Sequence, residues 1–179
     1  MEYVDILDEL GNLTGEKISK KEAHKIGLWH RSVWIYILNS NNEILLQKRA
    51  DSKDAFPGVW DLSVAGHVSA GETYEEAAVR EISEEIGIEV NPSKLKLIDT
   101  IKDVWQMDGI DNKEYTNIYF VELDIRVGDL ILQVEEVSEA KFISIDEFDK
   151  LVKNRDESLI PSYEEFEKFI AYCNKVGLS

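Results

Sequence analysis

The stretch GHVSAGETYEEAAVREISEEIGI, residues 66–88, decides how the rest of the chain is read. From Thr73 onward it predicts a helix. Thr73 stands as N-cap, Glu76 three residues later completes a capping box, and Gly87 is the stop. At about 100° per residue, Ala78, Val79, Ile82 and Ile86 share a face suited to a core, and Glu81, Glu84 and Glu85 share the adjoining one. Three solvated carboxylates on one turn repel each other by a few tenths of a kcal/mol per pair. A divalent cation reverses that, and hard oxygen donors suit Mg²⁺ or Mn²⁺, which bind through a few carboxylates together with substrate phosphates. Arg80 is spaced to pair with Glu84 or with Glu72, while Gly66 and Gly71 bracket a loop where backbone can approach a ligand closely.

The same residues resemble the Nudix box, G-x5-E-x7-R-E-U-x-E-E-x-G-U with U aliphatic. The match holds at every defined position: Gly66, Glu72, Arg80, Glu81, Ile82, Glu84, Glu85, Gly87 and Ile88. The resemblance implies an α/β fold, an α/β/α sandwich with a mixed sheet. It also implies a hydrolase that cleaves a diphosphate linkage with Mg²⁺ or Mn²⁺.

The chain has 179 residues, the size of one domain. We read residues 1–179 as one unit, with an N-terminal hairpin and short helix over 1–30, a core over 31–145 and C-terminal helices over 146–179. A formal net charge of −16 argues against a general nucleic-acid or anionic-membrane binder. A small phosphorylated metabolite remains admissible as a partner, because bound metal ions reverse the local sign of a site. The single Cys173 excludes an internal disulfide and suits a reducing compartment. The acidic start MEYVDILDEL does not read as a signal peptide, and a cytoplasmic location is expected. A homodimer is compatible with the pattern, which does not choose an oligomeric state.

Tyr3 to Ile18 predicts a hairpin turning at Gly11-Asn12, and Ser19 to Glu22 opens a short helix ending at Gly27. Strands are expected over Ser32 to Leu38 and Glu43 to Lys48. Lys94 to Trp105 and Glu114 to Ile125 read as strands joined by a polar loop over 108–113, and Glu139 to Ile143 as a last short strand. Ser144 caps a helix to about Lys153, and Pro161 starts a C-terminal helix with Tyr163, Phe166, Ile170 and Cys173 at helical spacing.

Lys48 and Arg49, followed by Phe56-Pro57-Gly58-Val59-Trp60, are similar to the branch of the family related to isopentenyl-diphosphate isomerase. Lys48, Arg49 and Lys53 are therefore expected to clamp phosphate, with Gly66 and His67 lining the substrate site. His24, His30 and His67 fall near positions where those isomerases bind metal, although imidazole is a poor donor for Mg²⁺. The isomerase's catalytic cysteine position is Ala65 here, and its Glu-x-Glu pair reads Asn112-Lys113-Glu114. Isomerase architecture with hydrolase chemistry follows. A diphosphate isomerase and a non-catalytic ligand sensor are the alternatives.

Under the hydrolase reading Glu81 and Glu85 are the chief metal ligands. Glu84 is a further ligand or the base, Glu114 is a second candidate base, and Glu72, Arg80 and Gly87 hold the motif in shape. Selectivity for the organic half falls to residues outside the box, and Trp29, Trp34, Trp105 and Tyr115 are the candidates.

Overall fold

The computed structural model describes residues 2–107 and 109–178. Strands β1 (Tyr3–Leu7) and β2 (Leu13–Ser19) form the expected hairpin. Its turn is held by the Asp8 carboxylate, which accepts from the backbone N–H of Leu10 at 2.9 Å and of Asn12 at 2.8 Å. Ser19 then caps helix α1 (Lys20–Ile26), which Gly27 ends in the left-handed conformation.

A mixed sheet follows. Its strands are β3 (His30–Leu38), β4 (Glu43–Arg49), β5 (Trp60–Asp61), β6 (Val64–His67), β7 (Lys96–Met107), β8 (Ile110–Glu122) and β9 (Val137–Ser144). The main order is β5-β4-β3-β8-β7, with β3 and β8 parallel. β3 and β4 pair only at Leu38 and Ile44. Beyond that point β6 takes the edge of β3 from Ile35 to Ser32, while β5 and β9 flank β4. The sheet thus forks, and the candidate site residues gather around the fork.

Alternation along β3 sends side chains to two cores. Val33, Ile35 and Ile37 join Tyr119 and Val121 of β8 under helix α2 (Tyr74–Ile86), which contributes Ala77, Ala78, Ile82 and Ile86. Trp34, Tyr36 and Leu38 join Ile118 and Phe120 on the opposite face. There they meet helices α3 (Ile145–Lys153) and α4 (Tyr163–Val176) through Phe148, Val152, Phe166, Phe169, Ile170 and Cys173. Tyr36 stacks on Phe169 with ring centroids 3.7 Å apart. Helices on both faces make the α/β/α sandwich. No helix among the described residues is long and apolar enough to cross a membrane.

Several expectations change in detail. Val79 is half-buried and lies outside the core, where Ala77 takes its place, because the buried face of α2 centres on Ala78 and runs through Ala77, Glu81 and Glu85 as well as Ile82 and Ile86, leaving Val79 at its edge. β5 and β6, two and four residues long, carry too little alternation to be seen in sequence. The polar run over 110–113 is strand rather than loop, since it pairs with β7 from Met107 back to Val104. Asp108 lies outside the described residues. Helix α4 begins at Tyr163, two residues after Pro161.

Phe169 is 1% exposed and carries the stack on Tyr36. Phe169→Ala is expected to destabilise the chain by about 3–5 kcal/mol in urea unfolding. Val79→Ala should change stability by under about 1 kcal/mol; equal losses at the two positions would contradict this assignment of the core.

Candidate metal and catalytic site

Helix α2 delivers its carboxylates to the fork by close approach. A Cβ added to Gly66 would fall 2.1 Å from Cδ of Glu81, so a residue without a side chain is required where the Glu81 carboxyl crosses β6. Arg80 fixes the approach. Its guanidinium donates to Glu72 at 2.9 and 3.0 Å, to Glu81 at 2.7 Å, to Glu84 at 3.1 Å and to the His67 carbonyl at 2.9 Å. Glu72 accepts in addition from the Ser69 backbone N–H at 2.9 Å, tying the loop to the helix. One forked cation therefore holds three carboxylates and a strand end in register.

Glu81 and Glu85 are 9% and 5% exposed, and Oε2 of Glu85 is buried with no hydrogen-bond partner. Burial pushes the Glu81 carboxyl up to about 7. Burial, and then the neighbouring Glu81, raises Glu85 well above the usual carboxylate range. Glu84 is half-exposed at the rim, with a side-chain exposure of 53%. A pair of buried carboxyls with an orphaned oxygen is costly without a cation, and an oxygen donor set of this kind fits a hard divalent ion.

A second donor set lies on the other side of His67. His24 of α1, His30 of β3, His67 of β6 and Glu114 of β8 bring their ligand atoms within 4.8 Å of one another. Glu114 Oε1 lies 2.9 Å from His67 Nε2, 3.3 Å from His30 Nε2 and 3.5 Å from His24 Nε2. The Nε2 atoms of His24 and His30 are 3.2 Å apart, and those of His24 and His67 are 3.3 Å apart. His30 Nδ1 sits 2.8 Å from the Leu28 carbonyl, which can only accept, so Nδ1 carries the proton. In neutral His30 the Nε2 lone pair then faces a carboxylate oxygen. The centre of the cluster requires positive charge, supplied by protons or by a metal cation. Burial works to raise Glu114, but His67 and hydrogen bonds from the three imidazoles hold it well below the usual range. His30 is raised despite its burial by the bond to Glu114, and burial lowers His67. Three imidazoles and a carboxylate suit a borderline transition-metal ion better than Mg²⁺.

Both sets open on a cleft of about 940 Å³, lined also by Trp34, Arg49, Lys53, Phe56, Ala65, Asp103, Trp105, Asn112 and Glu165. The three basic residues expected at phosphate have other partners. Lys48 is half-exposed, pairs with Glu139 at 2.7 Å and packs over the Trp60 ring, outside the cleft lining. Arg49 donates to Asp61 at 3.0 Å and to the carbonyls of Ala55 and Phe56, and Lys53 is ion-paired with Glu136. Trp34 and Trp105 line the cleft, whereas Trp29 and Tyr115 meet with their rings tilted by 53° beneath Lys102, outside it except for that lysine.

The sequence does not single out Asp103, and it marks Asn112 only as standing in the isomerase's Glu-x-Glu pair. Asp103 pairs in register with Glu114, and Trp105 with Asn112. Burial pushes the Asp103 carboxyl up to about 7. The alternation Asp103-x-Trp105 was a visible signal of a shared strand face; the register that sets it against β8 was not.

Residues 28–164 match the family model described as the NUDIX domain. Over 166 residues the chain is 34% identical to Nudix hydrolase 3 of Arabidopsis thaliana, covering 89% of this chain and 21% of that protein. The chain thus spans about a fifth of the length of that relative. It is 34% identical over 157 residues to an uncharacterized Nudix hydrolase of Clostridium acetobutylicum, covering 86% of this chain and 75% of that protein. Isopentenyl-diphosphate Delta-isomerase 1 of Photorhabdus laumondii is 32% identical over 171 residues, covering 92% of each. Among solved structures, one from Deinococcus radiodurans superposes with a TM-score of 0.73 at 20% identity, covering 93% of this chain and 98% of that one.

The shifts of Glu81 and Glu85 set a pH dependence. In the metal-free chain Glu81 ionises near 7, against 4.5 for an ordinary glutamate. Across that window the folded state keeps a proton that the unfolded chain has lost, so stability falls as pH rises from about 4.5 to 7. Glu85 and Asp103, both raised by burial, act in the same sense, as does the raised His30, while the lowered His67 acts against them. The melting temperature with chelator present should be lower at pH 7.5 than at pH 5.5. Added Mg²⁺ should raise it more at pH 7.5, because its ligands must be deprotonated. A metal-free melting temperature that climbs over this range would contradict the burial of these carboxyls.

Proposed function

The chain belongs to the Nudix family, and from that premise we propose that it is a divalent-metal-dependent diphosphohydrolase whose chemistry centres on Glu81, Glu84 and Glu85. Nudix hydrolases act on substrates that contain a diphosphate linkage. The observation that carries the reading here is the delivery of Glu81 past Gly66 beside Glu85, whose inner oxygen has no partner.

A cation bound there, Mg²⁺ or Mn²⁺, supplies neutralisation of phosphate charge and acidification of an attacking water. Glu81 and Glu85 hold it, with Arg80 setting the position of Glu81 and Glu72 bracing Arg80. Glu84 stands at the water-accessible rim and takes the proton as the water oxygen attacks phosphorus. The bond from phosphorus to the bridging oxygen breaks in line, and two phosphate-bearing fragments, or a monophosphate and orthophosphate, leave. Glu114 is the poorer base, because three imidazoles engage its carboxylate. We assign it with His24, His30 and His67 to a second cation position that takes Mn²⁺ or Zn²⁺. Lys53 lines the cleft and meets phosphate by exchanging Glu136 for it.

The isomerase is the second reading, and the His24, His30, His67 and Glu114 cluster together with the Photorhabdus relative favours it. Ala65, which lines the cleft, opposes it, since a methyl group carries no proton to an allylic carbon.

Purified protein with Mg²⁺ or Mn²⁺ should release phosphate or monophosphate from at least one of a panel of nucleoside diphosphates and triphosphates, dinucleotides, nucleotide sugars and isopentenyl diphosphate. Glu85→Gln should abolish release with the fold intact by circular dichroism. Glu84→Gln is expected to lower kcat by about 10²–10⁴-fold with KM little changed. Glu114→Gln should instead reduce bound Mn²⁺ or Zn²⁺, read by metal analysis. Allylic isomer from isopentenyl diphosphate without phosphate release would establish the isomerase in its place.

A further inference from the structure

The loop over 68–73 joins β6 to α2, and every one of its backbone N–H groups has a partner. Val68 donates to the Arg31 carbonyl at 3.0 Å, Ser69 to Oε2 of Glu72 at 2.9 Å, Glu72 to the Ser69 carbonyl at 3.0 Å and Thr73 to Oε2 of Glu76 at 2.8 Å. The other two go to β1. Ala70 donates to the Tyr3 carbonyl and Gly71 to Oδ2 of Asp5, each at 2.8 Å. Val4 and Ser69 add an isolated antiparallel bridge. A strand that lies outside the family match over residues 28–164 is thus laid along the loop that leads into the carboxylate helix.

Asp5 is the side chain that locks this arrangement. Its Oδ2 also accepts from Nη2 of Arg31 at 3.0 Å, and the two side chains are only 12% and 13% exposed. Among the described residues Asp5 is the one acceptor that the Arg31 guanidinium meets, and Nε of Arg31 is buried with no partner. The same guanidinium lies 5.4 Å over the ring of Tyr74, the first residue of α2. One carboxylate oxygen therefore joins the loop at Gly71 to β3 at Arg31 and, through that cation, to the start of α2. Gly71 sits at φ +90°, a conformation that favours glycine.

The path of the loop matters because Arg80 grips both of its ends. The guanidinium of Arg80 donates to the His67 carbonyl at 2.9 Å on one side and to Glu72 at 2.9 and 3.0 Å on the other. A loop that shifts parts these acceptors, and the cation that sets Glu81 loses one of them.

We propose that Asp5 is a positioning residue of the metal site: by tying Gly71 to β3 it fixes the His67 carbonyl against Glu72, and so holds Arg80 where it sets the Glu81 carboxylate for a cation. This rests on the metal-dependent hydrolase described above for the identity of the site. The competing role for Asp5 is that of a counterion for Arg31 and nothing more. Exchanging a buried ion pair for apolar side chains of similar volume is often neutral, so in that role an apolar pair replaces the two without loss at the metal. The Gly71 bond separates the roles, because an apolar side chain at position 5 cannot accept it.

Hydrogen exchange and calorimetry with Mg²⁺ test this without turnover. Mg²⁺ is the probe because its preference for oxygen donors reports on Glu81 and Glu85 rather than on the imidazole cluster. Asp5→Leu combined with Arg31→Met leaves no buried charge alone, and its circular dichroism should match that of the unsubstituted protein. Its amides over 69–72 should nevertheless exchange faster, and Mg²⁺ should bind about tenfold or more weakly, the scale of losing a group that orients a metal ligand. Asp5→Asn decides independently, since it removes the countercharge but keeps an oxygen for Gly71. Its Mg²⁺ affinity should stay within about tenfold of the unsubstituted protein. A double variant that loses less than that or shows unchanged exchange over 69–72, or an Asp5→Asn protein that loses more, would overturn the assignment. A failure of the hydrolase reading would appear separately, as absent product release from an unsubstituted protein that binds Mg²⁺.

Discussion

The contact between Glu81 and Gly66 is the constraint on which the rest of the site depends. A helix packed on a sheet keeps its side chains on its own side of that sheet, so a carboxylate from α2 reaches the cleft only where the sheet forks and the crossing strand has no side chain. β3 and β4 separate beyond Leu38 and Ile44, β6 runs into the gap, and Gly66 is the residue of β6 that Glu81 crosses. Arg80 then acts as a strut between the first residues of the loop and the helix, bonding the His67 carbonyl and Glu72 with the same guanidinium that holds Glu81. The spacing from Gly66 to Arg80 and Glu81 is therefore a mechanical requirement: a loop one residue longer would leave the strut without its carbonyl.

Electrostatics constrains the cleft as well. The chain is acidic overall, with 36 acidic against 20 basic residues, and the cleft is acidic as well. Each lysine and arginine among the described cleft-lining residues already meets a carboxylate or a carbonyl: Lys20 with Glu2, Arg49 with Asp61, Lys53 with Glu136, Arg80 with its three glutamates, Lys102 with the Glu9 carbonyl. A diphosphate entering such a cleft meets repulsion unless cations precede it. On the proposed reading, metal ions on the carboxylates would serve binding as well as chemistry, because a bound cation reverses the local sign of an acidic site.

Much of this was legible in the sequence because it is local. The Thr73 and Glu76 capping box, the Gly87 stop and the Glu81, Glu84, Glu85 turn are properties of one helix, and α2 begins and ends where they place it. The Ser19 and Ser144 caps were readable for the same reason. What escaped depends on register between distant strands. Asp103 acquires meaning only because β7 sets it beside Glu114, and Asn112 only because it faces Trp105. The partners of the basic residues were illegible for a related reason. The resemblance marked Lys48, Arg49 and Lys53 as phosphate clamps; the carboxylates they meet here, Glu139, Asp61 and Glu136, lie 91, 12 and 83 residues away, and no local pattern announces an ion pair at such separations.

The two donor sets differ in chemistry although they meet at adjacent residues, Gly66 and His67. One is all oxygen, half-open to water through Glu84, and too buried to ionise freely without a cation. The other is nitrogen-rich and closed around Glu114, with His30 fully buried. The first therefore favours a hard ion that keeps waters and exchanges readily, which is what a step that consumes water requires. The second, with three imidazoles and one carboxylate, favours a softer, borderline ion. Ala65 lies beside both sets, in the place where a proton-carrying side chain would turn the same architecture toward moving protons on carbon. Its methyl group offers no such proton, which is why the proposed reading makes water, at the Glu84 rim, the reactant.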